Sequence, residues 1–296
     1  MSDSTFLAIN KQQVRQNFSR AVNTYDAAAV LQREIADRCL QHLDVIKIQP
    51  KIILDLGSGT GYCTQLLQQR FPQAQVIALD LSPSMLQYAR AKRGRWQRWR
   101  NPHNYVAADI EQLPIAPNSI DLVFSSLALQ WCCDLRQTFQ YLSQVLTTHG
   151  LLLFATLGPH TLKELRLAWQ QVDQFEHVNP FLDMHDVGDA MMAAGLTGPV
   201  LDMEMLTITY QHARDLLYDL KQLGSTNALQ NKPKQLTGKN RLLAFEHAYE
   251  QFRCDRVLPA SYEVIYGHAW GAGTKQQASQ SVQLGKQQFA LQVENN

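Results

Sequence analysis

Residues 52–62 read Ile-Ile-Leu-Asp-Leu-Gly-Ser-Gly-Thr-Gly-Tyr, an apolar strand that enters a turn with glycine at every second position and leaves it into a helical segment, Cys63 to Arg70. A residue without Cβ lets the backbone turn tightly and come within contact distance of a ligand, so three such residues after an acidic strand end predict a cradle for a nucleotide-like group. A plain strand-to-helix turn needs fewer glycines. Dinucleotide sites use the spacing G-x-G-x-x-G to seat a pyrophosphate on a helix N-terminus. Here the spacing is Asp55-x-Gly57-x-Gly59-x-Gly61. A pyrophosphate has no use for the acid. A ligand carrying an ammonium and a sulfonium does, since a carboxylate attracts positive charge while the glycine amides approach the rest.

Downstream of this turn the pattern alternates: strands at 52–55, 76–80, 105–108, 121–125 and 151–157, with helices at 62–70, 83–92 and 134–147 between them. Such alternation predicts an α/β fold with a mostly parallel sheet covered by helices on both faces. The strands are nearly all apolar, as in Val76-Ile77-Ala78-Leu79, which fits burial on both sides. Ligands of such sheets sit beyond the carboxyl ends of the strands, and that rim collects Asp55, Asp80, Asp109 and Ser125.

Before the sheet, Val14, Phe18, Ala21, Val22, Tyr25, Ala28, Leu31 and Ile35 recur at helical spacing, predicting a helical arm over residues 1–49, broken near Asn23-Thr24, with Tyr25 placed to help close the ligand site. The main domain is read as 50–270, with helices at 161–176 and 182–195, and with two lid insertions, 158–182 and 211–258. The second interrupts a pair of strands, 201–210 and 261–269, expected to lie antiparallel. The tail, 271–296, is rich in Gln, Ser and Gly and is expected to be disordered.

With 296 residues, 45% of them hydrophobic, the chain can bury a large core; a net charge of +1 gives no global pull toward nucleic acid or an anionic membrane. Five cysteines at irregular spacing fit neither a disulfide framework nor a metal site, and no basic-then-apolar leader or bilayer-length run is present, so a cytoplasmic protein without a metal is expected. His160, His185 and His268 lack partners at metal-ligand spacing. Arg90, Lys92, Arg93, Arg95, Arg98 and Arg100, interleaved with Trp96 and Trp99, would suit stacked bases. Because the helix 83–92 runs back from the rim, this patch is expected at the opposite edge of the sheet, away from any active site.

Asp80 closes its strand, where a carboxylate can accept both hydroxyls of a ribose; Asp109 can accept from an adenine amino group while Ile110 packs on the ring. Together these features resemble the class I S-adenosylmethionine-dependent methyltransferases over residues 50–157, a Rossmann-like fold. The resemblance implies S-adenosylmethionine as cofactor, bound by Tyr25, Asp55, Gly57, Gly59, Gly61, Asp80, Leu81, Met85, Asp109, Ile110 and Ser125. The flanks are more particular. Asn17-Phe18-Ser19-Arg20-Ala21-x3-Tyr25, Asp80-Leu81-Ser82-Pro83-x-Met85-Leu86, Asp121-Leu122-Val123-Phe124-Ser125-x2-Ala128-x-Gln130-Trp131, Leu220-Lys221-x2-Gly224 and Tyr262 to Trp270 are similar to the malonyl-acyl carrier protein O-methyltransferase family of biotin biosynthesis.

That resemblance implies methylation of the free carboxylate of a malonyl thioester on acyl carrier protein, with the coenzyme A thioester as a possible substitute. A carboxylate is already a nucleophile at neutral pH, so alignment and desolvation matter more than a general base. No catalytic acid/base pair is expected. A cation should hold the substrate carboxylate, and Arg166, Lys221 and the hydroxyl of Tyr25 are the candidates. Lys232, Lys234, Lys239 and Arg241 on the second lid are expected to meet the acidic carrier. The enzyme alternative is a small-molecule methyltransferase of the quinone or aconitate type. A nicotinamide-dependent oxidoreductase and a non-catalytic nucleotide-binding module fit the glycine spacing and the full set of rim residues less well.

Overall fold

The computed structural model describes residues 9–94, 104–229 and 238–272. Seven strands form one sheet in the order β3-β2-β1-β4-β5-β7-β6. They are β1 (Ile52–Leu56), β2 (Gln75–Asp80), β3 (Asn104–Ala107), β4 (Ile120–Ser126), β5 (Leu146–Leu157), β6 (Thr197–Tyr210) and β7 (Leu258–Trp270). Neighbours from β3 to β5 are parallel, and β7 runs antiparallel to both β5 and β6. Strand order reverses between β1 and its neighbours β2 and β4, which opens a crevice at their carboxyl ends.

Helices cover both faces. On one side α3 (Val30–Gln41), α4 (Tyr62–Arg70) and α7 (Lys163–Gln170) pack Ile35, Leu67 and Leu165 against Phe124, Leu153 and Val264. On the other, α6 (Leu135–Val145) and α8 (Met184–Ala193) bring Phe139, Leu142 and Met191 against Val123, Leu152 and Ile265. The remaining helices are α1 (Lys11–Ala21), α2 (Tyr25–Ala28), α5 (Pro83–Lys92), α9 (Ala213–Gln222) and α10 (Lys239–Tyr249). Local signals set their starts. Asn10 caps α1 by accepting from Gln13 N at 2.9 Å, and Ser82 caps α5, whose first turn holds Pro83.

Some boundaries differ from the sequence reading. The helix expected over 161–176 ends at Gln170, because Asp173 turns back to accept from Phe175 N at 2.9 Å and from His177, an Asx turn that competes with further helix. Strands β5 and β6 start earlier than expected, at Leu146 and Thr197. The arm breaks where expected, after Ala21, and again at Ala29. Most of the tail (273–296), the patch residues Arg95, Trp96, Arg98, Trp99 and Arg100, and the lid residues Lys232 and Lys234 lie outside the described residues. Among the described residues no helix is long and apolar enough to cross a membrane.

Candidate active site

The turn after β1 is tied to the next strand rather than left free. Gly57 N and Ser58 N both donate to Leu79 O, at 2.8 and 3.0 Å, and Gly61 N closes the turn onto Ser58 O at 2.9 Å. At Gly57, φ is +77° and a Cβ would overlap that of Ala128, so no other residue fits without displacing β4's exit loop. Gly59 N donates to Asp80 Oδ2 at 2.9 Å and Ser82 N to Oδ1 at 2.7 Å. Burial raises the Asp80 carboxyl to about 6 in spite of these two donors. One wall of a cavity of about 330 Å³ is built this way, from Gly57, Gly59, Asp80, Leu81 and Met85.

Asp55 lies beneath this wall, 1% exposed, and does not face the cavity. Its carboxylate accepts from Thr64 Oγ1 at 2.5 Å, and burial pushes it up to about 7. It ties α4 to β1 from below. Gly61 packs toward Ala89, and Ser125 is buried with its hydroxyl on Leu56 O at 3.0 Å; the neighbouring Ser126 lines the cavity instead. The alternation of a strand explains this exchange, since adjacent side chains point to opposite faces.

At the β2–β3 end, Asp109 and Ile110 line the cavity as expected. Lys11 bridges Asp109 and Glu111, at 2.8 and 2.5 Å, and so pins the arm to the rim. Tyr25 also faces the cavity, and burial, reinforced by nearby Cys63 and Asp80, holds its phenol well above the ordinary range. Phe18 stands edge-on to Trp131 at 5.5 Å and 6.4 Å from the Tyr25 ring. Two further wall residues, Gln32 and Gln130, each carry a buried amide oxygen with no donor among the described residues.

Residues 9–24 and the segment 222–229 meet over this space. Ile9 bridges to Leu229, Asn10 N donates to Ala228 O at 2.8 Å, Asn17 Nδ2 to Thr226 Oγ1 at 2.8 Å and Thr24 Oγ1 to Gln222 O at 2.8 Å. On the β5–β7 side the wall is largely apolar: Leu157, Leu165, Trp169, Phe181, Leu217 and Tyr262, with Thr161, His177 and Asn179 among its polar members.

The remaining residues singled out from the sequence lie elsewhere. Arg166 donates to Pro159 O at 3.0 Å and, with its charge disfavoured by burial, is not on the cavity wall; Lys221 is exposed on α9. Arg241 is engaged with Asp173 rather than free for a partner. Lys92 does not sit at a remote edge. It reaches Asp26 at 2.6 Å, whose other oxygen accepts from Thr60 of the glycine turn at 2.6 Å. His160 pairs with Glu263 at 2.8 Å, His185 is exposed and burial lowers His268. No group of potential metal ligands is found among the described residues.

Lys11, Gln32, Trp169 and His177 also line the cavity and carry no motif in the sequence, and Tyr262, the first residue of the closing motif, lines it too. For Lys11 a signal existed: it falls on the apolar stripe of α1 with Val14 and Phe18, at i, i+3 and i+7, where a charge needs a buried partner. His177 sits in a loop with no periodicity to flag it.

The family model described as "Methyltransferase domain" matches residues 54–154. The chain is 50% identical over 264 residues to a malonyl-acyl carrier protein O-methyltransferase of Gallionella capsiferriformans, covering 88% of this chain and 91% of the relative. To those of Methylovorus sp. and Legionella pneumophila it is 48% and 39% identical, covering 88% and 92% of this chain and 89% and 94% of theirs. Among solved structures, a putative methyltransferase from Bacillus halodurans superposes with a TM-score of 0.54 at 18% identity, over 81% of this chain and 99% of that one, a likeness of fold.

Proposed function

Since the chain belongs to the malonyl-acyl carrier protein O-methyltransferase family, we propose that it methylates the free carboxylate of a malonyl thioester on acyl carrier protein, with S-adenosylmethionine as methyl donor. The product is the methyl ester, and the step belongs early in biotin synthesis. The observation that carries the reading is a single cavity with carboxylate acceptors at the β2 and β3 ends and an apolar chamber at the β5–β7 end. The residues fit the cofactor. Gln32 and Gln130 present amide oxygens in want of donors, which suits an ammonium, and Asp80, already held by two backbone N–H groups, suits vicinal hydroxyls.

S-adenosylmethionine supplies an electrophilic methyl group on a sulfonium. Asp80 would hold the ribose, and Asp109, oriented by Lys11, the adenine amino group, with Ile110 and Leu81 offering apolar surface to the ring. Gly57 and Gly59 let the backbone come close. Asp55 contributes by fixing the turn from below, Gly61 by allowing α4 to pack on α5, and Ser125 by holding β4 to β1. Phe18, Tyr25 and Trp131 exclude water from the reacting carboxylate, which raises its nucleophilicity by removing its hydration shell. The Tyr25 hydroxyl, kept protonated, is a donor for a carboxylate oxygen. Arg166 and Lys221 serve this reading only after a rearrangement of their side chains.

The coenzyme A thioester carries the same malonyl end and is the second substrate to compare. Five unpaired cysteines support a reducing compartment, the cytoplasm. Purified protein incubated with malonyl-loaded carrier protein and S-adenosylmethionine is expected to yield the methyl ester by mass spectrometry. No ester, with S-adenosylhomocysteine binding intact, refutes the reading.

A further inference from the structure

The chamber at the β5–β7 end needs a cation if a carboxylate is to enter it desolvated. Two residues on the cavity wall can carry positive charge, Lys11 and His177. Lys11 is already shared by Asp109 and Glu111 at the opposite end. His177 is held differently. Its Nε2 lies 3.0 and 3.2 Å from the two oxygens of Asp173, which is in turn gripped by Arg241 of the lid helix α10. The imidazole stacks on Trp169, centroids 3.9 Å apart and planes within 8°, and Trp169 stacks on Phe245 at 4.5 Å. The carboxylate fixes which nitrogen faces the loop, and the stack fixes the plane of the ring. With Nε2 committed to Asp173, Nδ1 has no partner among the described residues.

Resting on the carboxyl-methylation reading, we propose that His177, oriented by the Asp173–Arg241 pair and the Trp169 face, binds the substrate's free carboxylate through Nδ1–H. One oxygen accepts from Nδ1–H, which leaves the other to attack. The site is thereby selective for acyl groups ending in a carboxylate over neutral acyl groups of the same length. Because Arg241 comes from α10 and Asp173 from the loop after α7, the oriented donor is assembled only when the two insertions meet.

The test uses the full chain with malonyl-loaded carrier protein. His177→Phe keeps a flat ring on Trp169 and removes both nitrogens, so it separates charge from packing. It is expected to raise KM for the malonyl carrier about 30-fold, the loss of one charge-assisted hydrogen bond. S-adenosylhomocysteine affinity by calorimetry and the inhibition constant of acetyl-loaded carrier protein should stay within about twofold, since neither ligand presents a terminal carboxylate to residue 177. Asp173→Asn should reproduce part of the KM rise. Wild-type KM in His177→Phe overturns the assignment, as does an equal weakening of the acetyl and malonyl carriers, which would make the role one of packing. If the wild type forms no ester, the substrate reading falls and the assignment with it.

Discussion

The contact between α1 and the segment that follows α9 depends on Gly224. Its φ is +70°, and a Cβ there would lie 2.9 Å from Asn17 O, 3.1 Å from Asn17 C and 3.1 Å from Phe18 Cα. All three are backbone atoms of α1, so no side-chain rotation relieves the overlap. An alanine at a left-handed position costs about 1–2 kcal/mol, and overpacking a rigid contact adds about 1–3 kcal/mol, which gives about 2–5 kcal/mol against this arrangement. Phe18 and Thr226, on either side of the contact, both line the cavity, so the displaced arm unseats the wall. Gly224→Ala is therefore expected to weaken S-adenosylhomocysteine binding about 30-fold or more in calorimetry. Gly195 is the control. Its φ is +76° with nothing within 4 Å of an added Cβ, so Gly195→Ala carries the left-handed cost alone, about 1 kcal/mol in urea unfolding, with unchanged affinity. Matching affinities in the two variants would refute the steric argument.

Three further outcomes follow from the charges at the rim. Burial raises Asp80 to about 6, and a ligand donating hydroxyls to it binds the ionised form, so S-adenosylhomocysteine affinity should fall as pH drops below about 6, by up to about tenfold per unit; Asp80→Asn should bind weakly at every pH with a flat profile between pH 5 and 7. Asp55, raised to about 7, holds its proton more tightly folded than unfolded, so it costs stability as pH climbs from about 4 to 7. Asp55→Asn keeps an acceptor for Thr64 and should gain in urea midpoint over the wild type at pH 8 but not at pH 4; equal gains at both would contradict the assignment to this group. Lys11→Met leaves Asp109 and Glu111 facing each other without their cation and should lower S-adenosylhomocysteine affinity about tenfold in calorimetry, while unchanged affinity would show that the arm does not orient Asp109.

Most of the sheet was legible because its strands bury both faces and therefore advertise themselves as apolar runs: Leu122 to Phe124 and Leu151 to Ala155 are all fully buried. The antiparallel pairing of β6 with β7 was legible for a different reason, a helical insertion with strands on either side. Boundaries were less so where a polar side chain competes with the helix, as Asp173 does after α7. Neither propensity nor periodicity reports that competition, since the Asx turn is completed by His177 and by Arg241, the latter 68 residues away.

The two halves of the cavity differ in how their residues reach it. Gly57, Gly59, Asp80 and Asp109 hang directly on strand ends, so one topological rule places them all at one rim. Residues on the other half arrive from the arm, from the loop after α7 and from the lid, and their side-chain directions depend on contacts between distant segments. Arg166 illustrates the difference. A helical position near the rim made it a plausible cation, yet its guanidinium turns to Pro159 O because the apolar side of α7, with Leu165 and Trp169, faces the cavity. Trp169 in turn is what seats His177. A histidine in an aperiodic loop is seated only through a partner in one insertion and a partner's partner in another, so on the proposed reading substrate specificity belongs to the assembled insertions, while the cofactor half belongs to the strand ends as completed by the arm.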